Sequence, residues 1–245
     1  ALNEPIILDG PYSNSAFDIV CKNDKVYMII GGKDLLNGKR FDKGGYILTY
    51  DYDKWSFIDP KEAQKKLNLP RNPRDYTSIA VTTDDSNDEI VYASSMGDGV
   101  IQYKNGTPVQ SYNEKNAFKE TAGGYGSGYC YIDGLAFDKN GNLWMTSSEV
   151  NHAVLVLDKA GAWHRLDIEQ LRGVYTINDI LITSTNDKWI YVPRNTPKLV
   201  MIPNSESLDE VSSYEFTTLI DTDGKELTPS NYTCVAEDKD GYIWV

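Results

Sequence analysis

Apolar and polar residues alternate along this chain in short bursts, as strands require, and seldom in the rhythm of a helix. Residues 135–148 read LAFDKNGNLWMTSS. An apolar run leads into a polar turn, and a run rich in aromatic and β-branched residues leads out. Asp bonds backbone amides two residues on, and Gly adopts the positive φ that closes a tight turn. The phrase therefore predicts a β-hairpin. It returns 100 positions later as VAEDKDGYIWV, where Ala136, Asp138, Lys139, Gly141 and Trp144 fall on Ala236, Asp238, Lys239, Gly241 and Trp244.

Weaker copies fill the rest. FDIVCKNDKVYMIIGG (17–32), SIAVTTDDSNDEIVYASS (78–95) and DILITSTNDKWIYVP (179–193) share the apolar lead-in, polar turn and apolar exit. The lead-ins lie near Ile19, Ile79, Leu135, Ile180 and Val235, at spacings of 60, 56, 45 and 55 residues. A second hairpin follows each of the first four copies, at 44–59, 99–113, 152–167 and 198–221, the second turning at Asn105-Gly106. Four antiparallel strands per repeat, in at least four repeats, predict an all-β β-propeller. Its blades are expected over about 13–59, 74–113, 129–168 and 174–221, with a partial fifth over 230–245. A lone strand is expected at 4–9. The half-blade at the end predicts that the chain is part of a larger propeller; the alternative is a ring closed by the N-terminal strand. Short helices are expected at 60–70, between Pro60 and Pro70, and at 167–173.

Composition agrees with this pattern. The 245 residues include 17 Tyr and 5 Trp, and aromatic side chains favour strands. The net charge of −12 would repel a polyanion, which argues against a nucleic-acid partner. No apolar run is long enough to span a membrane. Cys21, Cys130 and Cys234 lack metal spacing and are odd in number, so buried thiols are expected rather than a disulfide framework.

Catalytic chemistry is sparse. There are two histidines, His152 and His164, and no G-x-S-x-G elbow. Ser127, within GYGSGY, reads as a loop residue. No metal or cofactor is expected: the acidic phrases DKNGN, DKDGY, DTDGKE and DDSNDE read as turns, because none has the full calcium-loop pattern. Trp144, Trp189 and Trp244 repeat blade by blade and are expected to pack between sheets. Tyr125, Tyr129 and Tyr131, flanking a glycine-rich loop, are the candidate ligand-binding residues.

The two strong phrases resemble the two-component regulator propeller repeat, with its D-x-x-G-x-[LI]-W core at Asp138, Gly141, Trp144 and at Asp238, Gly241, Trp244. The copy at 180–189 departs from it, reaching Trp189 without Asp-x-x-Gly, and that at 79–95 lacks both Gly and Trp. The order of segments over 17–245 is similar to the PorZ-like group of type IX secretion propellers. This resemblance implies a non-enzymatic exported domain of the periplasm or cell surface. It would bind or scaffold in surface assembly, with glycan or lipopolysaccharide and secretion proteins as partners. The alternative it implies is the periplasmic glycan-sensing domain of a hybrid two-component regulator. A propeller lyase or hydrolase is a third reading.

Overall fold

The computed structural model describes residues 10–35, 37–118 and 128–245. The expected strand at 4–9, Tyr125 and Ser127 lie outside them. Four antiparallel four-stranded sheets follow one another along the chain. The first holds β1 (Ala16–Lys22), β2 (Lys25–Ile30), β3 (Ile47–Asp51) and β4 (Lys54–Ile58). The second holds β5 (Tyr76–Thr83), β6 (Glu89–Gly97), β7 (Gly99–Lys104) and β8 (Thr107–Tyr112). The third holds β9 (Cys130–Phe137), β10 (Leu143–Ser147), β11 (Val154–Leu157) and β12 (Trp163–Leu166). The fourth holds β13 (Ile180–Ile182), β14 (Lys188–Val192), β15 (Lys198–Ile202) and β16 (Tyr214–Phe216). Within each sheet, spatial order is sequence order, as successive hairpins dictate. Two residue pairs, Met96 with Tyr131 and Gly97 with Cys130, also join β6 to β9.

The first strands of successive sheets lie side by side: β1 beside β5, β5 beside β9, β9 beside β13. They form the inner wall, and the other strands lead outward. Core packing follows the period of two along each strand. In β2, Tyr27 and Ile29 turn toward the second sheet, while Met28 and Ile30 pack on the opposite face. In β10, Leu143 and Met145 face the second sheet and Trp144 the fourth. In β14, Ile190 and Val192 face the third sheet, while Trp189 and Tyr191 face Tyr232 and Val235. The second and third sheets thus bury both faces against their neighbours, as propeller blades do.

The helix α1 (Pro60–Leu67) occupies the expected stretch. Asp59 caps it through the Lys61 amide, Pro60 opens it, and Asn68 ends it with a left-handed backbone. A 3₁₀ turn covers Glu169–Leu171. The turn of π-helix at Glu114–Phe118 had no signal in the sequence.

Two expectations need correction. Residues 212–221 do not form one strand: β16 pairs with β15, whereas β17 (Leu219–Ile220) pairs with β18 (Glu226–Leu227). Asp221 takes the amides of Asp223 and Lys225, which folds DTDGK into a hairpin of its own. The thiols are not all buried either. Cys130 is, but Cys21 and Cys234 are exposed. The last pair, β19 (Ala236–Glu237) and β20 (Ile243–Trp244), repeats the hairpin of β9 and β10.

Candidate functional site

The repeated phrase is built around one aspartate. Asp138 Oδ1 accepts from the amides of Asn140 (2.9 Å) and Asn142 (2.8 Å). Its Oδ2 accepts from Asn142 Nδ2 (2.9 Å) and Trp144 Nε1 (3.0 Å). Gly141 closes the turn at φ +85° and donates to the Asp138 carbonyl. Asp238 does the same with the amides of Asp240 and Tyr242 and with Trp244 Nε1 (2.8 Å). Indole and carboxylate six residues apart are therefore one unit. Burial separates the copies: Trp144 is 1% exposed and Trp244 is 65% exposed. Trp189 is half-buried and stacks on Phe216 at 5.6 Å.

Four more turns share this geometry with altered residues. Asp158 bonds the Ala162 amide, and His164 Nε2 (3.0 Å) stands where the indole would be. Asp221 has Leu227 there. Asp84 accepts from Ser86 and Asp88, with Asn87 (φ +62°) in place of glycine. Thr183 replaces the aspartate, and Asn186 (φ +70°) replaces the glycine. At DDSNDE, Lys104 Nζ sits 2.8 Å from Asp84 and 2.7 Å from Asp88, so an ammonium occupies the place where a cation would go.

Loops at the end where the inner strands begin gather the remaining polar chemistry. Tyr129 is half-buried and Tyr131 only 4% exposed; their rings meet edge to face at 6.4 Å. The guanidinium of Arg71 lies 5.2 Å from the Tyr129 ring and that of Arg40 5.9 Å. Arg71 also pairs with Asp98 at 2.7 Å, and its hydrogen bond to Tyr129 lowers that phenol's pKa. A cavity of about 360 Å³ opens here, with Tyr175, Arg40 and Asp42 on its walls and Tyr131 at its floor. Tyr125 lies outside the described residues.

The axis itself carries a cluster that the sequence reading missed. Lys33, 3% exposed, follows β2 and reaches across to Asp133 of β9 and to the Ile177 carbonyl (3.0 Å). Asp133 Oδ2 accepts from Ser148 Oγ at 2.5 Å, and burial still pushes its pKa up. Asp18 of β1 accepts from Ile79 N (3.1 Å) and Ser78 Oγ (3.3 Å), and Ser78 Oγ accepts from Leu135 N (3.2 Å). Asp179 keeps contact with solvent at the cavity mouth while protein atoms crowd its carboxyl. That crowding, and then the charge of Asp18, raise its pKa to about 7. For Asp18, Ser78 and Asp179, though not for Lys33 or Asp133, the sequence carries a signal. The residue ahead of each apolar lead-in is Asp18, Ser78, Gly134, Asp179 or Cys234, so polar and small residues recur at one inner-strand position.

A cavity of about 550 Å³ lies between the second and third sheets where the hairpin turns gather. Two of its three lysines are engaged, Lys104 with Asp84 and Asp88, and Lys139 with the Ser184 carbonyl. Among the described residues no group of His, Cys, Asp and Glu is arranged to hold a metal ion, and no helix is long and apolar enough to cross a membrane.

Comparison with known proteins agrees with the fold. The two-component regulator propeller family matches residues 226–245, so the chain carries that repeat. No curated protein matches the sequence. The chain superposes on PorZ, an essential bacterial surface component of the type IX secretion system of Porphyromonas gingivalis. The TM-score is 0.82 and the identity 19%, over 98% of this chain and 32% of that one. Two extracellular domains of hybrid two-component systems from B. thetaiotaomicron also match. For BT4673 the TM-score is 0.56 and the identity 12%, over 92% of this chain and 25% of that one. For BT3049 they are 0.51 and 17%, over 95% and 32%. The chain thus spans a third or less of these solved chains, and what it shares with them is the propeller fold.

Proposed function

We propose that this propeller chain, bearer of a two-component regulator repeat, is a non-catalytic binding and scaffold module of an exported protein. It works at the cell surface, in assembly or type IX secretion, and takes its ligand at the Tyr129 mouth. The observation that carries this reading is the pair of guanidinium groups over the Tyr129 ring, beside an open cavity. An aromatic face with adjacent guanidinium groups suits a sugar that bears acidic groups, such as those of lipopolysaccharide. Tyr131, beneath, positions Tyr129. The non-catalytic part is supported by how the titratable side chains are spent. His164 is held between Asp158 and Asp209, and Asp133 between Lys33 and Ser148. The Ser148 hydroxyl on Asp133 is buried and also accepts from the Ile177 amide, so it is held in place rather than presented to a substrate.

A second reading, a periplasmic glycan-sensing domain, is supported by the fold likeness to the two hybrid-system domains and by the repeat at 226–245. Arrays of glycans and lipopolysaccharides, with released products assayed in parallel, test both readings. Binding to acidic glycans without product release is expected, about tenfold weaker for Tyr129→Ala. Product release from any glycan would overturn the non-catalytic reading. Binding confined to neutral glycans would favour the sensor, and binding to none would refute the mouth as a ligand site.

A further inference from the structure

A second cavity, about 280 Å³, opens on the axis where the inner strands begin. Three carboxylates from three sheets line it, Asp18, Asp133 and Asp179, against one ammonium, Lys33. That ammonium is spent on Asp133 and the Ile177 carbonyl. Asp18 is answered by the Ile79 amide and the Ser78 hydroxyl. Asp179 is placed differently. It accepts the amide of its own neighbour Ile180 (2.8 Å) and forms no ion pair among the described residues.

Asn178 supplies an independent sign. It lines the cavity, is 3% exposed, and its side-chain carbonyl oxygen accepts no hydrogen bond. Its main chain is fixed on both sides: its N–H donates to the Tyr191 carbonyl (3.1 Å) and its carbonyl accepts from Thr146 Oγ1 (2.9 Å). The Tyr191 hydroxyl gives its own proton to the Thr233 carbonyl (3.2 Å), so toward Asn178 it can only accept, from Nδ2. Asn178 Oδ1 is therefore left without a donor, at a cost that a ligand would remove. Phe17 and Tyr191 complete the wall with aromatic surface.

Unanswered acceptors beside aromatic rings call for a cation that carries N–H donors and a carbon skeleton. We propose that the axial cavity binds a small primary amine in its ammonium form. The ammonium donates to Asp179 and Asn178 Oδ1, and its alkyl part rests on Phe17 and Tyr191. A metal ion suits the place less well, because no set of three ligating side chains converges there among the described residues. The cavity is separate from the Tyr129 mouth, so an unreactive glycan array would leave this proposal standing.

Calorimetric titration of the whole chain with ethanolamine and with 1,5-diaminopentane tests it, with ethylene glycol and CaCl₂ as controls, at about pH 8 so that Asp179 is ionised. Saturable amine binding is expected, with none for ethylene glycol or Ca²⁺. Asp179→Asn should weaken it about tenfold and Asn178→Leu about threefold. Ring-proton shifts of Phe17 and Tyr191 in the unaltered chain should move on titration, a readout that needs no variant. Absence of amine binding, equal binding by folded Asp179→Asn, unmoved ring signals, or binding of Ca²⁺ in place of the amines would each overturn the proposal.

Discussion

One carboxylate oxygen of Asp138 holds the Trp144 indole, and the other ties the turn. Because that indole is buried between sheets, removing its acceptor strands an N–H away from water. Asp138→Ala should therefore cost roughly 2–4 kcal/mol in urea denaturation, counting both the stranded indole and the opened turn. The same change at Asp238, where the indole is exposed, should cost clearly less. Equal losses would mean that the turn alone, and not the indole contact, sets the energy. This scale also shows what the sequence hid. D-x-x-G-x-x-W was legible at 138–144 and 238–244, but Thr183-Asn186 and Asp84-Asn87 spell the same turn with other residues. Thr supplies the side-chain oxygen, and Asn accepts the positive φ that favours glycine. Their apolar flanks already mark 78–95 and 179–193 as weaker copies, and hydrogen-bond role rather than letter is what makes their turns the same.

The third and fourth sheets meet closely where β9 passes the start of β13. A Cβ on Gly134 would lie 2.7 Å from Asp179 Oδ1 and from the Ile180 amide. Glycine lets the third and fourth sheets approach, and Thr146 Oγ1 bridges them by accepting from Gly134 N and donating to the Asn178 carbonyl. Gly134→Ala should destabilise the chain by about 1–3 kcal/mol through overpacking, checked by thermal melting against Gly10→Ala, whose Cβ meets nothing within 4 Å. A larger loss at Gly10 would contradict the close approach. Hairpins were legible here because strand alternation and turn residues are local. The division of 212–221 into two strands was not, because it depends on which edge each half reaches. Nor was the burial of Lys33, since a lysine in a glycine-rich loop reads as solvated until the third sheet brings Asp133 to it.

At the scale of the molecule, the arc of sheets gathers acidic groups on its inner wall. Lost hydration raises the pKa of the buried Asp133, the half-buried Asp18 and the crowded but solvent-touching Asp179, with Lys33 the one ammonium among them. A carboxyl whose folded pKa is raised keeps its proton better folded than unfolded. The folded state then binds more protons, and stability falls as pH rises from the ordinary Asp range through the folded value. For Asp179 that window runs from 3.8 to about 7. Asp179→Asn should therefore gain on the unaltered chain across this window and melt roughly 2–4 °C higher at neutral pH, discounted for its solvent contact. A variant that loses ground as pH rises would show the carboxylate to be stabilised instead. The ring-like order of sheets was legible from spacing alone, whereas the inner wall was not, because its members come from separate repeats and meet only when the arc forms.

The arrangement of sheets around one axis rests most directly on Lys33 meeting Asp133, 100 residues away, across the inner wall. A double-mutant cycle on unfolding free energy, with Lys33→Met, Asp133→Asn and the pair combined, measures that meeting. A buried pair predicts that Lys33→Met alone costs about 3–5 kcal/mol and that the two changes couple by at least roughly 1.5 kcal/mol. Additive effects within about 0.5 kcal/mol would place the two residues apart and contradict the fold described here.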